Sequence, residues 1–210
     1  QPNGKLWASG ASVSKLFFRY GAMNSGKSTA LLQVAHNYEE RGQAVAVVKP
    51  ALDTKGHDQI VSRLGVSRTA DILLAPGEDL RGRVKGLRHS RSSSESALAC
   101  VLIDEAQFLE PEQVDGALEI AVFDNLPVVA FGIRTDFRRQ AFPGSLRLLE
   151  VAHALEEMKT ICRCGEKAIF NARLGESGMT HEGQQIMIDA PGVTYEALCA
   201  HCYLGSEQRC

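Results

Sequence analysis

Residues 21–28 of the chain have the sequence GAMNSGKS, which matches the pattern G-x-x-x-x-G-K-[ST] of a phosphate-binding loop. Such a loop requires a buried strand before it and a helix after it. The apolar run at residues 16–20 predicts the strand, and the helical spacing of apolar residues after Ser28 predicts the helix. A chance glycine-rich turn is the alternative, and the two flanking elements argue against it.

Each part of this loop has a chemical reason. Successive backbone N–H groups form an anion-binding nest, and the following helix adds its unpaired N-terminal donors. Glycine at positions 21 and 26 lets the backbone approach the phosphates closely. Lys27 is predicted to reach the β- and γ-phosphates, and the Ser28 hydroxyl to bind the accompanying Mg²⁺. The predicted phosphate contacts are Gly21, Ala22, Met23, Asn24, Ser25, Gly26, Lys27, Ser28 and Thr29.

An acidic pair follows a second apolar strand, predicted at residues 100–103. In phosphate-loop nucleotide hydrolases and kinases, the acid at such a strand end holds Mg²⁺, usually through water. Asp104 is therefore predicted to bind the metal. Glu105 is then placed to accept a proton from the attacking hydroxyl, as a general base. Two acids at a strand end are common by chance, but less so after a phosphate-binding loop.

The remaining apolar runs predict the rest of an α/β fold. Strands are predicted at residues 44–48 and 127–132, and helices over residues 111–121 and 146–155. Strands joined through crossover helices imply a parallel sheet. Such sheets bind ligands beyond the carboxyl ends of their strands.

Charged residues just beyond these strand ends have alternative roles. Asp53 either helps to hold Mg²⁺ or the phosphates, or caps a turn or helix. Arg134 is predicted to stabilise charge in the transition state of a phosphoryl transfer. The neighbouring Arg138 and Arg139 fit a solvated basic turn.

The six cysteines fall into three groups. Cys100 lies within an apolar run and is predicted to be a core residue, whereas Cys210 ends the chain and is taken as incidental. The other four form two close pairs separated by a predicted hairpin, which is typical of a structural zinc ribbon. Free thiols or an oxidised pair are the alternatives, and His201 could replace one thiolate. The predicted zinc ligands are Cys162, Cys164, Cys199 and Cys202.

Composition bounds the function classes. The chain has 210 residues, 44% of them hydrophobic, and a net charge of −2. The near-neutral charge gives no basic footprint for nucleic acid, and no apolar run is long enough to span a membrane. We expect a soluble cytoplasmic protein. The expected divisions are a tail or expression remnant (1–14), a nucleotide-binding domain (15–157), a zinc-binding domain (158–205) and a C-terminal tail (206–210).

Three motifs, taken in order, resemble those of the cytosolic-type (type II) thymidine kinases. They are GAMNSGKST at residues 21–29, DEAQF at residues 104–108 and GIRTDF at residues 132–137, followed by the paired cysteines. The resemblance covers almost everything from residue 15 to residue 203. It implies a RecA-like phosphate-loop α/β domain with a parallel sheet, and a small zinc-ribbon domain with a loop, the lasso, that covers the nucleoside.

The resemblance also implies the activity and the pocket. The reaction would be transfer of the ATP γ-phosphoryl group to the 5′-hydroxyl of thymidine, and of deoxyuridine, with Mg²⁺, in pyrimidine deoxynucleotide salvage. Glu105 falls on the family's catalytic base. Members are commonly homotetramers that thymidine triphosphate inhibits. The positions that line the nucleoside pocket correspond to Met23, Phe108, Ile133, Phe137, Phe142, Asn171, Ile188 and Tyr195.

The sequence departs from the family pattern at three places. Ala190-Pro191 stands where many relatives have two glycines, and Lys55 where many have arginine. The serine-rich insert around Ser92 has no counterpart, and a flexible surface loop is expected there.

Two other function classes remain open at this point. One is a nucleic-acid-dependent ATPase with a zinc ribbon, and the other is a nucleotide-binding regulatory module without turnover. Each predicted pocket phenylalanine could also be an ordinary core residue.

Overall fold

The computed structural model describes residues 13–51, 58–62, 65–91, 96–175, 178–185 and 192–207. The first part of the chain forms eight strands, four helices and a short 3₁₀ helix. The strands are β1 (Leu16–Tyr20), β2 (Ala44–Pro50), β3 (Gln59–Val61), β4 (Ser67–Thr69), β5 (Ile72–Leu74), β6 (Leu98–Ile103), β7 (Val128–Gly132) and β8 (Ala154–Glu157). The helices are α1 (Lys27–Glu39), α2 (Leu80–Ser90), the 3₁₀ helix (Ala106–Phe108), α3 (Pro111–Phe123) and α4 (Pro143–Val151).

Six of these strands form one parallel sheet in the order β5-β2-β6-β7-β1-β8. Strand β7 lies between β1, which leads into the phosphate-binding motif, and β6, which leads into the acidic pair. The α/β class and the parallel sheet are confirmed, and this order suits the RecA-like arrangement. Because all six strands run in one direction, the segments after β1, β2, β6 and β7 emerge at the same edge of the sheet.

Helices cover both faces of this sheet, as parallel sheets require. Alternate residues of one strand point to opposite faces. Val101 and Ile103 of β6 pack in a cluster with α2, α3 and α4, whereas Leu102 packs on the other face. There it meets Leu31 of α1 and Phe131 of β7. Each fully buried side chain of this size contributes about 1.5–3 kcal/mol to folding.

The remainder of the chain forms a small antiparallel unit. It contains β9 (Thr160–Ile161), β10 (Lys167–Ala168), β11 (Phe170–Gly175), β12 (Gly178–Thr180), β13 (Thr194–Leu198) and α5 (Ala200–Glu207). Strands β9 and β10 pair as a hairpin, and β12-β11-β13 form a three-stranded sheet. Ala22 of the phosphate-binding motif packs into the core of this unit, with Cys162 and Tyr203. The unit therefore braces the loop directly.

The predicted helix over residues 146–155 is wrong at its C-terminal end. Helix α4 ends at Val151, and Ala152 already has an extended backbone. Leu155 lies in β8 and Leu146 faces solvent, with 48% and 51% of their surfaces exposed. The chain leaves the helix because β8 pairs with β1 and closes the sheet at that edge.

Some predictions concern residues outside the described segments. They are those for residues 1–12, Asp53, Lys55, the insert around Ser92, Ile188, Ala190-Pro191 and Cys210. No helix within the described segments is both long and apolar enough to cross a lipid bilayer. The domain boundaries at residues 157 and 205 stay predictions.

Candidate active site

The phosphate-binding motif forms a tight loop between β1 and α1. Asn24 and Gly26 both adopt left-handed backbone angles, with φ of 67° and 79°. Alternation of right- and left-handed residues turns successive N–H groups towards one point, which suits an anion. Helix α1 begins at Lys27, so its unpaired N-terminal donors face the same region.

Gly21 is needed for a close approach within the protein. A Cβ at this position would lie 2.4 Å from the carbonyl oxygen of Met158 and 2.5 Å from Oγ of Ser25. Its N–H donates to the carbonyl of Gly132 at the end of β7. The loop is thus held between the sheet edge and the segment that follows β8.

The Lys27 side chain folds back over the loop. Its Nζ donates to the carbonyl oxygen of Ala22 at 2.9 Å, and more weakly to Ser25 Oγ at 3.3 Å and the Gly21 carbonyl at 3.4 Å. The ammonium is therefore held inside the loop, where the nest donors also converge. Ser28 and Thr29 lie in the first turn of α1 and are partly buried.

Asp104 follows β6 and is 5% exposed. Its backbone N–H donates to the carbonyl of Val48 on β2 at 2.9 Å. Burial, and after it the negative charge of Glu105, raises the pKa of Asp104 to about 7, while Lys49 and Lys27 act in the opposite direction. A carboxylate that is buried beside another acid gains from a divalent cation, because the cation supplies the missing positive charge.

Glu105 has a left-handed backbone, with φ of 49°. Such a conformation costs a non-glycine residue roughly 1–3 kcal/mol, and such residues cluster at functional sites. The turn it makes directs its carboxylate to the side chain of Gln107, whose Nε2 donates to Glu105 Oε2. The Glu105 carboxylate is therefore held in a defined orientation.

Gln107 is itself held from behind. Its Oε1 accepts a hydrogen bond from the backbone N–H of Ile133 at 3.2 Å. A backbone N–H can only donate, so the amide must present Oε1 to Ile133 and Nε2 to Glu105. A Cβ at Gly132 would lie 2.8 Å from this Oε1, so glycine leaves the room that Gln107 occupies.

The structure places the described residues of the predicted nucleoside pocket in four separate contacts. Phe108 and Phe142 make an edge-to-face pair with ring centroids 5.5 Å apart. Phe137 lies elsewhere, under the guanidinium of Arg173, which also donates to the hydroxyl of Tyr195. Asn171 contacts the backbone of Met23, and Ile133 contacts Gln107. Phe137 and Phe142 are buried, whereas Phe108 is partly exposed.

Asn171 uses its side-chain amide to join three segments. Its Oδ1 accepts from the N–H of Met23 at 2.7 Å, and its Nδ2 donates to the carbonyl of Thr135 at 3.2 Å. The amide therefore connects β11 to the phosphate-binding loop and to the segment after β7.

Arg134 lies beside the start of the loop. Its guanidinium is 6.0 Å from the ring centroid of Tyr20, and it lines a small cavity with Gly21, Ala22 and Glu157. Arg138 and Arg139 are exposed, as the basic-turn alternative predicts.

The four predicted cysteine ligands come together. The Sγ atoms of Cys162, Cys164, Cys199 and Cys202 all lie within 4.8 Å of one another. Four sulfurs around a zinc ion would be about 3.8 Å apart, given a Zn–S distance of about 2.3 Å. The Cys164–Cys199 sulfur distance of 3.6 Å is close to that value, so the cluster could hold a metal ion.

Local geometry around these sulfurs also suits a metal. Burial opposes ionisation of Cys162, but backbone N–H groups of Cys164 and Cys199 lower its pKa to about 7. The N–H of Cys202 points at Cys199 Sγ, 3.4 Å away. Such donors stabilise thiolates in metal sites. Cys100 lies apart in the core, where burial raises its pKa to about 11, as expected of an inert thiol.

Sequence analysis did not assign a role to three residues at or near this site, namely Gln107, Lys49 and Arg173. Gln107 was visible only as part of a motif. Arg173 had a usable signal, because Asn171 and Arg173 alternate along β11 and so present two polar side chains to one face. Nothing local in the sequence indicates the contacts of Gln107 or the left-handed backbone of Glu105.

Comparison with known proteins agrees with this geometry. Residues 14–203 match the family model for thymidine kinase. The chain belongs to the thymidine kinase family. It is 50% identical to the thymidine kinase of Idiomarina loihiensis over 84% of this chain and 89% of that protein. It is 44% identical to that of Chromobacterium violaceum (91% and 98% covered) and 42% identical to that of Enterobacteria phage T4 (89% and 94%).

Membership in the thymidine kinase family accounts for the motifs together. The phosphate-binding loop, the acidic pair after β6 and the segment after β7 lie at the same edge of the sheet.

Proposed function

We propose that this protein transfers the γ-phosphoryl group of ATP to the 5′-hydroxyl of thymidine, and of deoxyuridine, in pyrimidine deoxynucleotide salvage. One observation carries the proposal. The chain belongs to the thymidine kinase family, and its Lys27 loop lies at the same sheet edge as the strand end that carries Asp104 and Glu105. The two are close enough for the positive charge of Lys27 to lower the pKa of Asp104.

The phosphate side of the reaction rests on the loop. Backbone N–H groups of residues 21–28 bind the β- and γ-phosphates, and Lys27 exchanges its loop oxygens for phosphate oxygens. Ser28 and Asp104 would hold the Mg²⁺ that accompanies ATP and neutralises phosphate charge. Arg134, which lies beside Gly21, stabilises the charge that develops on the transferred group.

Glu105 acts as the general base. Its carboxylate accepts the proton of the 5′-hydroxyl as the hydroxyl oxygen forms its bond to the γ-phosphorus. The bond from phosphorus to the bridging oxygen breaks, and ADP leaves. Gln107 holds the carboxylate in one orientation, which lowers the cost of reaching the reactive geometry.

The nucleoside pocket is assigned by family resemblance. Its side chains are Met23, Phe108, Ile133, Phe137, Phe142, Asn171, Ile188 and Tyr195. In this structure both the oxygen and the nitrogen of the Asn171 amide form hydrogen bonds, with Met23 and Thr135 respectively. We therefore assign Asn171 to shaping the pocket and the loop together. The four cysteines hold a structural zinc, because a closed set of four thiolates leaves no position for substrate.

Regulation and assembly are proposed on the same resemblance. Thymidine triphosphate combines the product's base and sugar with a chain of phosphates, so it should compete with both substrates. The chain is proposed to form homotetramers. Inhibition kinetics and light scattering in solution test these two statements separately.

The proposed reaction is tested by ADP formation with Mg-ATP and each natural nucleoside in turn. Turnover with thymidine and deoxyuridine, but not with deoxycytidine or purine nucleosides, is expected. ATP hydrolysis that single-stranded DNA stimulates and no nucleoside affects would instead favour a nucleic-acid-dependent ATPase. Nucleotide binding without any turnover would favour a regulatory module.

A further inference from the structure

Arg173 is the only arginine among the fully buried side chains of the described residues. It lies in the middle of β11 and is 1% exposed. Within the described segments, no carboxylate forms an ion pair with it. A buried cation without a counter-ion is costly, so every remaining contact that it makes has to compensate for lost hydration.

All three nitrogens of the guanidinium donate hydrogen bonds. Nε donates to the hydroxyl oxygen of Tyr195 at 2.9 Å. The two terminal nitrogens donate to the backbone carbonyls of Glu182 and Gln184, at 3.2 Å and 2.8 Å. Tyr195 lies directly opposite Arg173 in the β11–β13 pair, so the register of the sheet sets this contact.

Aromatic rings complete the surroundings of the cation. The guanidinium carbon lies 3.5 Å from the ring centroid of Phe137 and 5.4 Å from that of Tyr195. Stacking of this kind compensates part of the lost hydration, and does so most strongly when the site is dry. The Phe137 backbone is held from the same unit, because the Tyr203 hydroxyl donates to its carbonyl.

The geometry points to Arg173 as a positioning residue for nucleoside recognition. It rests on the proposed function, under which Phe137 and Tyr195 line the nucleoside pocket. A single rigid guanidinium fixes the Phe137 ring, the Tyr195 hydroxyl and the backbone at residues 182–184 relative to one another.

Lysine cannot replace this arrangement. An ammonium presents a point charge, whereas the planar fork of arginine stacks on one ring while it donates in three fixed directions. Loss of the fork should free all three segments. The pocket would then have to be ordered by the nucleoside itself, which weakens its binding and leaves the bound state nearly unchanged.

The phosphate side of the site should not respond. None of the contacts of Arg173 involves residues 21–29, Asp104 or Glu105. We therefore expect the KM for thymidine to rise by about ten- to a hundredfold in Arg173→Met, in line with loss of hydrogen bonds from a charged donor. The kcat and the KM for ATP should stay within about threefold of the wild-type values, and Arg173→Lys should be intermediate.

The experiment compares steady-state kinetics and thermal unfolding of Arg173→Met, Arg173→Lys and a matched control. Arg81→Lys is the control, because Arg81 also stacks on a phenylalanine, at 5.4 Å from Phe123, and bridges to Asp124 at 2.8 Å. Arg81→Lys should lower the thermal midpoint without a change in either KM. An unchanged thymidine KM in folded Arg173 variants, or an equal loss for ATP and thymidine, would overturn the proposal.

A double-mutant cycle of Tyr195→Phe and Arg173→Lys tests the same contact without requiring Arg173→Met to fold. Because Tyr195 Oη accepts from Arg173 Nε, removal of the hydroxyl should raise the thymidine KM less in the Arg173→Lys background than in the wild type. Fully multiplicative effects would contradict the coupling. If the wild type shows no thymidine turnover, the proposed function fails. If the wild type is active and the Arg173 variants have the same thymidine KM, only the role of Arg173 fails.

Discussion

The side-chain amide of Gln107 connects the carboxylate of Glu105 to the backbone N–H of Ile133. Two strand ends, those of β6 and β7, are thereby joined through one side chain at the point where the proposed base lies. Gln107 is buried, and its amide can adopt only one orientation, because Ile133 offers a donor. The proposed base is thus oriented by the fold before any substrate binds.

Replacement of this amide should affect catalysis more than stability. In Gln107→Leu we expect kcat to fall by about ten- to a hundredfold, because the Glu105 carboxylate loses its fixed orientation. Gln113→Leu is the matched control, since Gln113 is also buried and bridges Ala75 and Glu110 in the same way. Both variants should lose about 1–3 kcal/mol of unfolding free energy, measured by denaturant titration. Equal kcat values in the two variants would contradict the assigned role.

The role of Glu105 itself is tested by Glu105→Gln. The substitution keeps size and hydrogen-bonding capacity but removes the basic oxygen, so turnover should fall by at least about two orders of magnitude. Binding of Mg-ATP, measured by titration calorimetry, should persist because the phosphate-binding loop is unchanged. Retained turnover would remove Glu105 as the base.

Gly144 should be irreplaceable at the start of α4. A Cβ there would lie 2.5 Å, 2.7 Å and 3.0 Å from the backbone oxygens of Leu109, Ala106 and Gln107. Gly144→Ala should therefore displace the 3₁₀ helix that carries Gln107, costing about 1–3 kcal/mol and lowering kcat. Gly86→Ala, in an exposed turn of α2 with nothing within 4 Å, should instead stabilise the protein by about 0.5–1 kcal/mol. Thermal unfolding and turnover of the two variants decide the matter.

Asp104 should make stability depend on pH. Its pKa rises from 3.8 to about 7 on folding, so the folded protein binds this proton more tightly than the unfolded chain. The contribution of this tighter proton binding to the free energy of unfolding is fully present below about pH 4 and is lost as the pH rises through about 7. In metal-free buffer, Asp104→Asn should therefore unfold at a higher temperature than the wild type at about pH 8, and the advantage should vanish below about pH 4.

The matched control for this pH series is Asp79→Asn, at the exposed N-cap of α2. Asparagine caps a helix about as well as aspartate, so no comparable pH-dependent gain is expected. A gain for Asp104→Asn that is the same at every pH would show that the buried charge is not its source.

The cysteine cluster should hold about one zinc per chain. Removal of the metal by a chelator should lower the thermal midpoint, and Cys164→Ser should reduce the metal content measured by atomic emission. Cys100→Ala is the control and should keep its zinc, since Cys100 lies in the separate core of the sheet. A metal-free wild type with an unchanged midpoint would dispose of the zinc ribbon.

Local signals in the sequence were sufficient for much of the fold. Strand β1 was predicted at residues 16–20 and has those bounds, because the apolar run and the loop that follows are both short-range features. The clustering of the four cysteines was also predicted, since their spacing carries the information.

Elements that depend on distant partners were missed. Strand β8 has the sequence ALEE, which resembles no buried strand, and it is extended because it pairs with β1. Strands β3, β4 and β5 have three residues each, too few for a period to be seen. The contacts of Gln107 with Ile133 and of Arg173 with Tyr195 likewise join residues more than 20 positions apart, which only the fold brings together.

The central claim is phosphoryl transfer to a 5′-hydroxyl, and it is tested most directly by a pair of acceptors. ADP formation from Mg-ATP should be rapid with thymidine and should stay at the level of ATP alone with 5′-deoxythymidine, which differs only in lacking that hydroxyl. The product with thymidine should be the 5′-monophosphate, formed in equal amount to ADP. Equal ADP formation with both compounds, or none with thymidine, would contradict the account.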